Sequence, residues 1–179
     1  MAHPSHLTPP QRLSQRIPIC RLTTGEALIV WAIRHWVQSV KARLDPRALL
    51  TRGFSTLEAG DSTADDMTEA LDRLLMITLE EATTVRDVGC VRCPTLGDGE
   101  QDVLRAIALA QRGRRDESLE VVQGWLPTTA SLTAYMQIAT LARSLDGADL
   151  RLPLRQADLD ETWWMDALAT HPRPSALIH

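Results

Sequence analysis

The stretch TTGEALIVWAIRHWVQSVKAR, residues 23–43, is the one from which the fold class follows. Thr23 with Glu26 three residues on is the pattern of a capping box. The threonine hydroxyl accepts an otherwise unpaired N–H of the first turn, and the glutamate reaches back to the threonine N–H. Ala27, Leu28, Ile29, Val30, Trp31, Ile33, Trp36, Val37 and Val40 then occupy nearly every face. A helix apolar all round in its first half predicts a buried, central element. Lys41 and Arg43 near the C-terminal end suit the negative pole of the helix dipole.

Outward from that helix the same helical period recurs. Residues 45–54 read as a short helix, with Asp45 as N-cap and Pro46 in the first helical position. The chain is expected to break from Gly60 to Asp66, and the stretch 61–83 then gives Met67, Leu71, Leu74, Leu75 and Leu79 at helical spacing, with acids in the first turn. Asp98 is the expected cap of a helix carrying Val103, Leu104, Ile107, Ala108 and Gln111, which Gly113 ends. Residues 114–127 carry Leu119, Val122 and Leu126 up to Pro127. Residues 128–147 carry Leu132, Tyr135, Met136, Ala139 and Leu141 or Ala142, and Gly147 closes the helix. LRLPLR (150–155) is an extended connector, and 158–171 form a last acidic helix bearing Trp163 and Trp164. Only TVRDVGCV and LRLPLR have strand character, too little for a sheet. The expected fold is all-α, a single-domain bundle of six or seven helices over residues 23–171. An extended N-terminal arm, residues 1–22, is punctuated by Pro4, Pro9, Pro10 and Pro18 and ordered where Ile17, Ile19 and Leu22 pack; residues 172–179 form a tail.

Composition narrows the classes of function. The 179 residues suffice for one domain with a real core, and a 44% apolar, 23% charged chain is globular in make-up. A net charge of −4, with Arg far outnumbering Lys, argues against phosphate-backbone binding. Arg112, Arg114 and Arg115 are followed at once by Asp116, Glu117 and Glu120, which reads as a solvated turn. No apolar run approaches a membrane span, no signal-peptide core opens the chain, and three cysteines form no paired framework, so a cytoplasmic setting is expected.

DVGCVRCPTLGDGE, residues 87–100, holds the one chemical signal above background. On the simplest reading Cys90 and Cys93 are small apolar residues that pack a loop against the core. Zinc is an alternative: the pair has knuckle spacing, and Cys20 with His35 would complete four ligands, though without local spacing to support the set. Thiol redox is another, with Arg86 and Arg92 at hand as cations. The chain is similar in length and helix content to the all-helical alkylhydroperoxidase-D-like disulfide reductases. That resemblance implies a redox pair with an upstream Glu and a His four residues past the second Cys. Glu80 and Glu81 lie upstream, but Gly97 occupies the later position and the next His is His171.

Residues 104–127 resemble a single tetratricopeptide-type hairpin: Gly113 at the turn, Ser118, Val122, then Trp125 and Pro127. The usual aromatic of the first helix is missing, and no second repeat follows. No nucleophile elbow, phosphate loop or HExxH pattern occurs, and Asp65–Asp66 and Glu80–Glu81 sit at opposite ends of one helix. The expected function is a small helical adaptor or regulatory protein, without visible catalytic machinery and with no cofactor unless zinc. Trp163, Trp164 and Leu168 on the acidic C-terminal helix would be the contact surface. A protein partner is expected, a homo-oligomer remains open, and neither nucleic acid nor membrane is expected.

Overall fold

The computed structural model describes residues 17–57 and 61–155. Trp163, Trp164, Leu168, the acidic C-terminal helix, the first part of the arm and the 172–179 tail lie outside the described residues. Six α-helices follow one another: α1 (Thr24–Lys41), α2 (Arg47–Phe54), α3 (Asp61–Glu81), α4 (Asp98–Ala110), α5 (Arg115–Gln123) and α6 (Thr128–Gly147). A single 3-10 turn, Ile19–Arg21, precedes them. Among the described residues there is no strand; TVRDVGCV and LRLPLR form none, and one isolated antiparallel bridge joins Pro18 to Thr95. No described helix is long and apolar enough to cross a membrane.

Several helix ends follow their local chemistry. At α1 the capping box forms: Thr23 N donates to Glu26 Oε2 at 2.8 Å and Glu26 N to Thr23 Oγ1 at 3.3 Å. At α2 the cap is Pro46 rather than Asp45, but the Asp45 carboxylate still accepts the N–H of Arg47 at 2.9 Å. At α4 the cap is Gly97 rather than Asp98, and Glu100 Oε2 takes the Gly97 N–H at 2.8 Å. Gly113 turns α4 into α5 with φ +70°, a left-handed backbone that glycine adopts without strain. At the end of α6 that conformation falls to Asp149 (φ 56°), past Gly147, which stays helical.

The helix order in space differs from the expected one. The most extensive helix–helix contact is between α3 and α6, so they form the centre rather than α1. Met67, Leu71 and Leu74 from α3 and Ile138, Leu141 and Leu145 from α6 are wholly buried in one continuous core. On α6 the buried face is Ser131, Ala134, Ile138, Leu141, Ala142 and Leu145, so of the expected stripe Leu141 and Ala142 are buried while Leu132, Tyr135, Met136 and Ala139 are not. Ser131 and Ala134 are wholly buried, and Leu132 and Met136 are left exposed. Helix α1 buries Ile29, Val30, Ala32, Ile33 and Trp36, while Leu28, Trp31, Val37 and Val40 are only half-buried.

Two polar devices tie the layers. Asp72 on α3 accepts Trp36 Nε1 at 2.7 Å and Arg47 Nε and Nη2 at 2.9 and 2.8 Å, joining α1, α2 and α3 through one carboxylate. The Gln111 amide donates to Leu150 O at 2.9 Å and accepts Leu152 N at 2.8 Å, which fixes the LRLPLR connector as a strand neighbour would. The α4–α5 hairpin closes tightly because buried Ser118 donates to Ala106 O at 2.8 Å.

Candidate functional site

Buried charge must be paired, and Arg34 in the apolar run of α1 is 5% exposed while Glu100 in α4 is fully buried. They meet as a fork: Arg34 Nε donates to Glu100 Oε1 at 2.6 Å and Nη2 to Oε2 at 2.9 Å. The remaining guanidinium donors reach the loop between α3 and α4, Nη1 to Cys93 O at 2.7 Å and Nη2 to Thr95 O at 2.8 Å. Glu100 in turn accepts Gly89 N at 3.2 Å and Gly97 N at 2.8 Å. One ion pair therefore fixes the backbone on both sides of the cysteines. Such charge-assisted, bidentate bonds are about twice as strong as neutral ones.

Glycine is required where the loop meets this pair. A Cβ on Gly89 would overlap the Arg34 guanidinium, and one on Gly97 would overlap the carbonyl of Asp87. The N-terminal arm adds a further seam: Ile19 N donates to Pro94 O at 2.8 Å and Leu96 N to Ile17 O at 2.9 Å. Ile17, Ile19 and Leu22 pack on the core, as their place in the arm predicts. Leu96, 2% exposed, is the loop's true core residue.

Cys90 and Cys93 are joined in a disulfide, with Cα atoms 5.0 Å apart. Cys90 is exposed and Cys93 half-buried, so the pair does not serve as core packing. Cys93 N donates to Cys90 O at 2.9 Å, closing a turn, and Cys90 N donates to Cys93 Sγ at 3.0 Å. A cleft of about 550 Å³ lies beside the pair between the loop and the C-terminal half of α1. Its lining includes Val37, Gln38, Lys41, Val88, Cys90 and Arg92.

Cys20 is a free, exposed thiol. His35 lies half-buried on α1 with its ring centroid 4.9 Å from that of Trp31. Among the described residues no three His, Cys, Asp or Glu side chains gather where they could hold a metal, so Cys20, His35, Cys90 and Cys93 do not form a four-ligand set. Glu80 and Glu81 end α3 as exposed residues.

A second polar cluster lies at the other edge of the loop. Arg86 Nε and Asp102 Oδ2 are 3.4 Å apart, within ion-pair range but outside hydrogen-bond geometry, and both atoms are buried. Burial pushes the Asp102 carboxyl above its ordinary range against the pull of Arg86. The Arg86 Nη2 donates to Gly124 O at 3.0 Å, linking the loop to the end of α5.

Arg34 and Glu100 escape a motif search because they lie 66 residues apart. Each nonetheless leaves a local mark: an arginine inside an apolar run, and a glutamate three residues after a helix-capping glycine. No protein-family model, curated protein or solved structure matches the chain.

Proposed function

We propose that the chain is a thiol–disulfide protein whose working group is Cys90 and Cys93, cycling between dithiol and disulfide. The observation that carries the reading is an exposed Cys90 bonded to Cys93 in a loop held by the buried Arg34–Glu100 pair. Thiol–disulfide exchange requires that an incoming sulfur reach one member of the pair, and Cys90 offers that access. The bond spans a sequence separation of only 3, so it constrains the unfolded chain little, and stability is a weak reason for its presence. The backbone anchors hold the two sulfurs' chain positions together without relying on the bond. Zinc would need further ligands, which the described residues do not gather beside the pair.

Thiol counting in redox buffers tests the reading. Oxidised protein should alkylate once, at Cys20, and fully reduced protein at all three cysteines. Across a series of glutathione ratios the change should be one reversible two-electron transition, absent in Cys93→Ser. A pair that stays reduced at every ratio, or resists excess dithiothreitol, would end the reading.

A second reading, a helical adaptor acting through protein contact, is favoured by Leu132 (49% exposed) and Met136 (58%), one turn apart on α6. Leu79 on α3 is exposed as well. Partners that bind the wild type but not Leu132→Asp/Met136→Asp would carry it; equal binding would remove it.

A further inference from the structure

The cleft beside Cys90 has a chemical character of its own. Lys41, the chain's single lysine, lines it from the last turn of α1, and Arg92 lines it from between the two cysteines. Both are exposed, and neither has an ion-pair partner among the described residues. The third cation, Arg34, is already matched by Glu100, and no acidic side chain belongs to the lining. Val37, Val88 and Val91 supply apolar wall between the charges. At about 550 Å³ the space is in the range that takes small organic ligands.

We propose that this cleft is the substrate subsite of the Cys90–Cys93 couple and takes a small disulfide bearing carboxylates, of the glutathione disulfide type, held by Lys41 and Arg92. The proposal rests on the thiol–disulfide reading. In the reducing direction the Cys90 thiolate attacks one substrate sulfur. A Cys90–substrate disulfide forms as the substrate S–S bond breaks, and the first half leaves as a thiolate that takes up a proton. The Cys93 thiolate then attacks Cys90 Sγ, forming the Cys90–Cys93 bond and releasing the second half. Two electrons pass from the dithiol to the substrate, and the two protons of the dithiol appear on the two product thiols. Oxidation of a carboxylate-bearing thiol runs the same steps backwards.

The test compares the reduced full-length protein against three disulfides: glutathione disulfide, neutral hydroxyethyl disulfide and cationic cystamine. Each rate is referred to that of a short, unstructured peptide containing CVRC, so that intrinsic disulfide reactivity cancels. The expected order is anionic over neutral over cationic. The anionic-to-neutral ratio should fall about fivefold in Lys41→Ala and again in Arg92→Ala, as a partly exposed ion pair of about 1 kcal/mol gives. That preference should also shrink with added salt. Because Arg92 lies between the two cysteines in sequence, Lys41→Ala is the decisive variant, and Lys41→Glu should lower the ratio further. Equal normalised rates for the three disulfides, or a ratio indifferent to Lys41, would overturn the subsite and leave the redox pair standing. Rates no faster than the peptide's for all three would remove the redox reading and the subsite with it.

Discussion

Arg34 is the residue on which the candidate site turns, because it satisfies Glu100 and two loop carbonyls at once. Removing one partner of a buried pair leaves the other charged and unpaired, which costs about 3–5 kcal/mol. Arg34→Met should lower the unfolding free energy in urea by that amount, and Arg34→Met/Glu100→Gln should recover part of the loss. If the single variant were as stable as wild type, the pair would not be what holds the loop. Asp102 makes a separate prediction about pH. Its carboxyl lies above the ordinary 3.8, chiefly because it is buried, with Asp98 adding to the rise and Arg86 and Arg105 opposing it. The folded state thus holds this proton more firmly than the unfolded chain does. Its stabilising contribution is complete below the ordinary range and is lost as pH rises through that range to the raised value. Asp102→Asn should therefore gain on wild type as pH increases from 3 towards 6, read from urea midpoints; a difference that stays flat with pH would contradict the assignment.

Among the elements, the α4–α5 hairpin is where local sequence and final geometry agree most closely. Gly113 takes the left-handed turn, Ser118 buries its hydroxyl against Ala106 O, and Val122 is wholly buried. These are the positions from which the tetratricopeptide-type resemblance is drawn, since small residues at fixed offsets let two helices approach. Gly113 has φ +70° and open space around the missing Cβ, so Gly113→Ala meets backbone strain and no clash. It should cost about 1–2 kcal/mol, seen as a lowered melting temperature with unchanged helical content by circular dichroism. Helix α6 teaches the opposite lesson. Its expected stripe holds towards the C-terminal end, where Leu141 and Ala142 are buried, and fails towards the N-terminal end, where Leu132 and Met136 are exposed. The buried face runs instead through Ser131, Ala134, Ile138, Leu141, Ala142 and Leu145, a choice between faces that the period of α6 alone does not make.

At the scale of the whole molecule, the fold and the cysteine bond are largely independent. The core joins α3 and α6 with α1, α2, α4 and α5, while the disulfide closes a loop at its rim. On the chain-entropy account so short a loop contributes at most about 2 kcal/mol. Cys90→Ser/Cys93→Ser should therefore keep the helical spectrum and unfold cooperatively with a loss no larger than that; collapse of the fold would mean that the bond is structural. By contrast Leu71→Ala, in the centre of the α3 face, should cost about 2–5 kcal/mol by leaving a cavity. Comparing the two variants in one urea series separates a surface redox group from a core staple.

What the amino-acid sequence determined by itself was short in range. The helical period of α1, α3 and α4, the Thr23–Glu26 cap and the turn at Gly113 each depend on residues within a few positions of one another. The spacing of Cys90 and Cys93 marked the loop, but three chemistries shared that spacing. Tertiary structure alone decided that Arg34 reaches Glu100 across 66 residues, that Gly89 and Gly97 must lack a side chain there, and that Lys41 faces the same cleft as Cys90. The physical reason is that periodicity says only that a face is buried. Which partner covers it, and which buried charge meets which, is settled when the helices pack and every desolvated polar group must find its match.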